Sequence, residues 1–220
     1  MEYIHSQHII HRDLKPDNIL FGLHHYSDTL HIIDFGLAKQ YRDPRTHIHI
    51  KYQPHTSPIG TARYASINAQ SGSELSRRDD LESLIYILIY PLRGSLSWQD
   101  ISGSQRKKML QIKKTIPLDI ICEGLPVEFQ LLLEHARTLK FEERPNYEHL
   151  HSLIRRLLSQ HNSLEPSVAE QNVAGELMGN RLSKEIPVPL QLRRYVYMQN
   201  FIFLSLTCIV LRSSRKKCTI

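Results

Sequence analysis

The stretch 81–90, Leu-Glu-Ser-Leu-Ile-Tyr-Ile-Leu-Ile-Tyr, is apolar almost all the way round a helix. A helix of that kind has to be buried on every side, which makes it the central helix of a folded unit. Pro91 is expected to end it. Helical spacing recurs at 105–114 and at 128–139, where Leu131, Leu132, Leu133, Ala136 and Leu139 share an apolar side. It recurs again at 147–158, with Leu150, Leu153, Ile154, Leu157 and Leu158 in register. Short apolar runs at 18–21 and 31–33, parted by a polar loop, suit a small hairpin. Residues 37–76 are rich in Pro, Gly, Ser, Thr and His and read as a long ordered loop, a kind of segment that tends to be functional. The expected fold class is mainly α with a small β-hairpin, over residues 1–158.

Beyond that unit the apolar periodicity stops. Residues 159–194 carry Asn, Gln, Ser and Glu with Pro166, Pro187 and Pro189, and read as a linker. Residues 195–220 form an apolar segment with a basic end. Its 195–211 part is interrupted by Gln199, Asn200, Ser205 and Thr207 and flanked by Arg193, Arg194, Arg212, Arg215, Lys216 and Lys217. As a helix, 195–211 would reach roughly 25 Å, slightly short of a bilayer core, so a membrane tail anchor is the minor reading and a non-native tail the favoured one. Cys122, Cys208 and Cys218 are odd in number and lack a Cys-x-x-Cys pair, which points to a reducing compartment, cytoplasmic or nuclear, without zinc site or disulfides. The 13 histidines are dispersed, and neither His24-His25 nor His47 and His49 has convincing ligand partners. A net charge of +6 and a pI near 9.2 suit anionic partners. A monomer is expected, and no nucleic acid.

His11-Arg12-Asp13-Leu14-Lys15-Pro16-Asp17-Asn18, followed by Asp34-Phe35-Gly36, reads as the catalytic loop and metal-binding segment of a eukaryotic-type protein kinase. Phosphoryl transfer asks a protein for positioning and charge neutralisation more than for covalent chemistry. Asp13 is placed to accept or orient the proton of a substrate hydroxyl, and Lys15 to reach the transferring phosphate of ATP. Asn18 and Asp34 offer the hard oxygen ligands that Mg2+ prefers. His11 and Phe35 read as props beneath the site, and Gly36 permits the tight backbone after Asp34.

Three further segments make the resemblance specific. They are Ile33-Asp34-Phe35-Gly36-Leu37-Ala38-Lys39-Gln40-Tyr41-Arg42-Asp43, then Gly60-Thr61-Ala62-Arg63-Tyr64-Ala65-Ser66-Ile67-Asn68, then Ser76-Arg77-Arg78-Asp79-Asp80-Leu81-Glu82-Ser83-Leu84. Together they resemble the casein kinase 1 family of serine/threonine kinases, which has Ser-Ile-Asn where most kinases have Ala-Pro-Glu. Gly94-Ser95-Leu96-Ser97-Trp98-Gln99 also looks like the family's segment after its central helix. The resemblance implies a protein-kinase-like C-terminal lobe, ATP and magnesium chemistry, and protein substrates with acidic or phosphorylated motifs. It implies that Thr61 bonds near Asp13 and Lys15, and that Asp80 braces the backbone of the catalytic loop. It also implies that Arg63, Lys108 and Arg77 form an anion pocket that reads a substrate phosphate. Taken without the resemblance, Arg106-Lys107-Lys108 is a solvated helix face. The sequence departs from the family at Asp100 and Ile85, both glycine in the family pattern.

A complete kinase covers the phosphates with a Gly-rich loop and pairs a strand lysine with a helix glutamate. Neither feature is found within the 220 residues, so the expectation is a lobe truncated at its N-terminal side, with ATP affinity too weak for normal turnover and weak or no kinase activity of its own. Residues 1–8 read as the tail of a longer helix lying against 81–90, whose loss is expected to leave apolar surface uncovered. The competing reading is a non-catalytic pseudokinase fragment that holds phosphorylated partners through Arg63.

Overall fold

The protein is described here from a computed structural model covering residues 1–22 and 30–162. His24-His25, most of the expected linker and the segment 195–220 lie outside the described residues. The central helix, α3, spans Arg77–Arg93. Its Leu81, Ile85, Tyr86, Ile87, Leu88 and Ile89 are all buried, so the described residues themselves cover the surface expected to lie bare. Ile85 is at home in that core, where a glycine would leave a void. Pro91 does not end the helix. It sits in the last turn, where its missing N–H costs one hydrogen bond, and the chain stops at Gly94, whose φ of 76° is the left-handed geometry a helix end favours.

Helix α6 (Val127–Thr138) packs along α3 and α7 (Tyr147–Asn162) packs on α6, burying Phe129, Leu132, Leu133, Leu150, Leu153 and Ile154. The last helix therefore continues four residues past the expected boundary at 158. Helix α4 (Arg106–Thr115) lies against α2 (Ile67–Ser71), a short helix within the stretch that reads as loop. Helix α5 (Leu118–Ile121) leads to Cys122, which is buried and whose thiol burial pushes up to about 11. No helix among the described residues is long and apolar enough to cross a membrane.

Among the described residues the strands form two antiparallel pairs. Strands β2 (Ile19–Phe21) and β3 (Leu30–Ile32) form the expected hairpin, with Ile19 opposite Ile32. A second pair was not expected: β1 (Ile9–Ile10) joins β4 (Lys39–Gln40). These two pairs hold the ends of the loop 11–18, and α1 (Glu2–Ser6) precedes them. A smaller core of Ile10, Tyr41, Ala65, Ala69 and Leu75 lies beneath the second pair.

The start of α3 carries two adjacent buried carboxylates that behave oppositely. Asp79 accepts from Ser66 Oγ (2.7 Å), Asn68 Nδ2 (3.0 Å) and the Ser76 backbone N–H (2.8 Å). Burial nevertheless raises it from 3.8 to about 6. A carboxyl raised in the folded state binds more protons there than in the unfolded chain, so its contribution to stability falls as pH rises from 3.8 to about 6. Urea denaturation across that window is expected to show this decline, and Asp79→Asn to flatten it; an unchanged slope in the variant would assign the titration elsewhere.

Candidate active site

Residues 11–18 run from β1 to β2, and the side chains of His11, Arg12 and Asp13 are bonded to chain segments outside the loop, while Lys15 and Asn18 bond Asp13 within it. Asp80, 2% exposed on α3, accepts the backbone N–H of His11 (2.8 Å) and of Arg12 (2.9 Å). It is not the helix N-cap, a position held by Ser76. Its Oδ2 also accepts from His5 Nε2 at 3.0 Å, while His5 Nδ1 meets the Tyr147 hydroxyl at 2.6 Å. Burial lowers the His5 pKa despite Asp80, so this contact is a neutral imidazole hydrogen bond in which Nε2–H donates and Nδ1 accepts. Burial alone would raise Asp80, but the bonds from His5, Arg12 and His11 outweigh it and hold the carboxylate below the ordinary value.

The clamp leaves Arg12 with a left-handed φ of 69° and turns Asp13 toward the segment that begins at Gly60. Thr61 donates both its backbone N–H and its hydroxyl to Asp13 Oδ1, each at 2.8 Å. Lys15 Nζ lies 3.1 Å from the other oxygen, Oδ2. Burial works to raise Asp13, yet the Thr61 and Lys15 bonds prevail and hold it below 3.8, so it is a carboxylate at neutral pH. Lys15 is raised in return, first by its bond to Asp13 and then by its charge. This close meeting of the two segments requires a glycine at position 60: its φ is 79°, and a Cβ there would stand 2.7 Å from the Arg12 carbonyl oxygen.

Asn18 is 4% exposed and donates Nδ2 to the Asp13 carbonyl at 3.0 Å, which commits its amide nitrogen and leaves its side-chain oxygen for a ligand. Its backbone oxygen accepts from Ile33 N at 3.0 Å, joining it to the residue before Asp34. Asp34 is exposed, has a left-handed φ of 61°, and gives one oxygen to Gly36 N at 3.2 Å. His11 lies beneath: its Nε2 bonds the Ile33 carbonyl at 2.9 Å and its ring sits 5.0 Å from that of Phe35. Among the described residues no group of three or more His, Cys, Asp or Glu could hold a metal alone. Two hard oxygens from Asn18 and Asp34 fit a magnesium ion that takes its other ligands from phosphate and water.

The expected anion pocket is not assembled as its three residues suggest. Arg63 is half-buried, its guanidinium 5.8 Å from the Tyr90 ring. Lys108 is exposed on α4. Arg77 belongs elsewhere: it is 5% exposed, stacks 4.6 Å from the Tyr41 ring and donates to the Glu142 carbonyl at 2.6 Å. Arg106 reaches the Thr61 segment instead: its Nη2 donates to the Gly60 carbonyl at 3.2 Å, and its Nη1 is buried without a partner. Asp100 is exposed.

Sequence reasoning also missed Lys113. Its ammonium is wholly buried and donates to the carbonyls of Ala65 (2.6 Å), Ala62 (3.0 Å) and Arg63 (3.2 Å). It lies 4.8 Å from the Trp98 ring and 5.0 Å from that of Tyr86, while Trp98 Nε1 adds a 2.8 Å bond to the Arg63 carbonyl. The segment that presents Thr61 to Asp13 is thus held from behind by one buried cation. A family model for the protein kinase domain matches residues 1–174.

Proposed function

The chain belongs to the protein kinase family, and we propose that it transfers the γ-phosphoryl group of ATP to serine or threonine hydroxyls, in the manner of casein kinase 1. The carrying observation is the Asp13 carboxylate held at both ends, Oδ1 by Thr61 and Oδ2 by Lys15. Those bonds keep it ionised and aimed, so it can accept the proton of a substrate hydroxyl as that oxygen bonds to the γ-phosphorus. The bond from phosphorus to the β,γ-bridging oxygen breaks and ADP leaves. Lys15 offers its ammonium to the transferring phosphoryl oxygens, and Thr61 keeps the hydroxyl-accepting oxygen in place. Asn18 and Asp34 would hold magnesium, which when bound neutralises charge on the nucleotide phosphates. Arg63 and Arg106, with exposed Lys108 farther along α4, give the acceptor side a positive character that favours acidic or phosphorylated peptides. Ser66-Ile67-Asn68 supports the casein kinase 1 type, because Ser66 and Asn68 both bond Asp79 and so anchor α2 to α3.

Transfer from saturating Mg-ATP to an acidic serine peptide is expected with the chain in excess, and Asp13→Asn is expected to slow it at least about a hundredfold. Equal rates in the two proteins would overturn the proposal. Absence of any transfer, with phosphopeptide binding that Arg63→Ala abolishes, would instead favour the non-catalytic, phospho-partner-binding reading.

A further inference from the structure

Arg77, which sequence reasoning assigns to the reading of a substrate phosphate, lines a separate cavity of about 230 Å3 between α1, the chain following β4 and the start of α7. Arg42, Arg144, Tyr41, Tyr147 and Glu2 line it as well. The guanidinium carbons of Arg77 and Arg42 lie 4.6 and 5.5 Å from the same Tyr41 ring. Arg77 spends its terminal nitrogens on the Tyr41 hydroxyl (3.4 Å) and the Glu142 carbonyl (2.6 Å), and its Nε is buried with no partner. Arg42 Nε donates to His8 Nδ1 at 2.8 Å, and Arg144 is exposed at the rim. Among the described residues none of the three makes an ion pair with a carboxylate. Glu2 leans instead to His151, at 3.7 Å. Three guanidiniums against the one carboxylate leave a net charge of +2 around the cavity.

Arginines crowded around a partly enclosed space repel one another unless an anion joins them, and their forked donors match tetrahedral oxyanions. We propose that this cavity is a second anion site, separate from the Asp13 cleft, that takes a phosphomonoester or free phosphate between Arg42, Arg77 and Arg144. It does not depend on the kinase activity proposed above. Calorimetric titration of the full chain with inorganic phosphate and with a phosphoserine peptide, at ionic strength fixed by chloride, tests it. Saturable binding is expected, weakened about tenfold by Arg144→Ala and by Arg42→Ala, and kept after Arg63→Ala. Arg77 is too buried to serve as the first variant. Tighter binding of the peptide than of free phosphate identifies a phosphorylated side chain as the ligand, and equal binding identifies the free ion. No saturable heat with either probe overturns the proposal. So does binding that Arg63→Ala abolishes while Arg42→Ala and Arg144→Ala leave it intact.

Discussion

Asp80→Ala is expected to cost roughly 3–5 kcal/mol of folding free energy, because it strips the acceptor from two buried donors and one partly buried donor at once. His5 Nε2, His11 N and Arg12 N all donate to its two oxygens, 2.8 to 3.0 Å away. A loss of that size is a large share of the 5–15 kcal/mol typical of a domain, so the variant should melt far earlier in urea. Asp80→Asn keeps one oxygen and turns an amide toward a donor, and should fall between the two. The acid side gives an independent sign. A carboxyl lowered in the folded state adds stability above the ordinary 3.8, and that stability drains away as pH falls below 3.8 toward its lowered value. Asp80 and Asp79 thus pull the stability profile in opposite directions on either side of pH 4. A cost under about 1 kcal/mol for Asp80→Ala would mean that the loop 11–18 is held by something else.

Lys113→Met is expected to lose about 3 kcal/mol and to loosen residues 61–65. Methionine fills nearly the same volume among Tyr86, Trp98 and Met109, so the loss reports on polar bonding rather than on a void. Three backbone carbonyls lose their shared donor; Ala65 O is left unpaired at the largest cost, while Ala62 O keeps Gln70 Nε2 and Arg63 O keeps Trp98 Nε1. Amide exchange at Thr61 through Ala65 should quicken more than in α6 or α7, and the bond pair from Thr61 to Asp13 should weaken with it. Lys113→Arg should not restore the protein, because a planar fork needs more room than two ring faces leave. Burial lowers the Lys113 ammonium from 10.5 to about 7, against the pull of Glu82, and the charges of Arg137 and Arg106 lower it further. The unfolded chain keeps that proton up to 10.5, so this residue's contribution to stability rises between about pH 7 and 10.5, a slope that Lys113→Met should remove. Exchange at 61–65 that stays unchanged in Lys113→Met would overturn its assignment as the loop's anchor.

The parts of the fold that could be read from sequence are those whose signal is local. The all-round apolar stretch 81–90 marked the helix that the core is built around, and repeated leucines marked α6 and α7. The run 11–18 with Asp34 gave the polar cluster, since its residues lie within one short loop and hairpin, and the family resemblance supplied the role of Asp80. What escaped was set by distant partners. Lys113 stands beside Lys114 on an amphipathic helix and reads as solvated; its three carbonyl partners come from residues 62, 63 and 65. Arg77 sits in a charged run and reads as available for substrate, yet Tyr41 and Glu142 claim it. The two-residue strands β1 and β4 carry no periodicity at all, and Pro91 was overruled by packing that holds α3 to Gly94.

At the junction of α2 with α3 a hydroxyl and a carboxamide bond one sequestered carboxylate, Asp79, while the Arg78 Nε stands farther off at 3.8 Å, beyond hydrogen-bond reach. Mobile ions shield pairs of full charges in contact with water and have little hold on neutral donors inside a protein. Concentrated salt should therefore slacken the rim contact of Arg93 with Glu123 while the attachment of the Ser66-Ile67-Asn68 corner endures. This corner is built to keep its shape across changes in ionic strength.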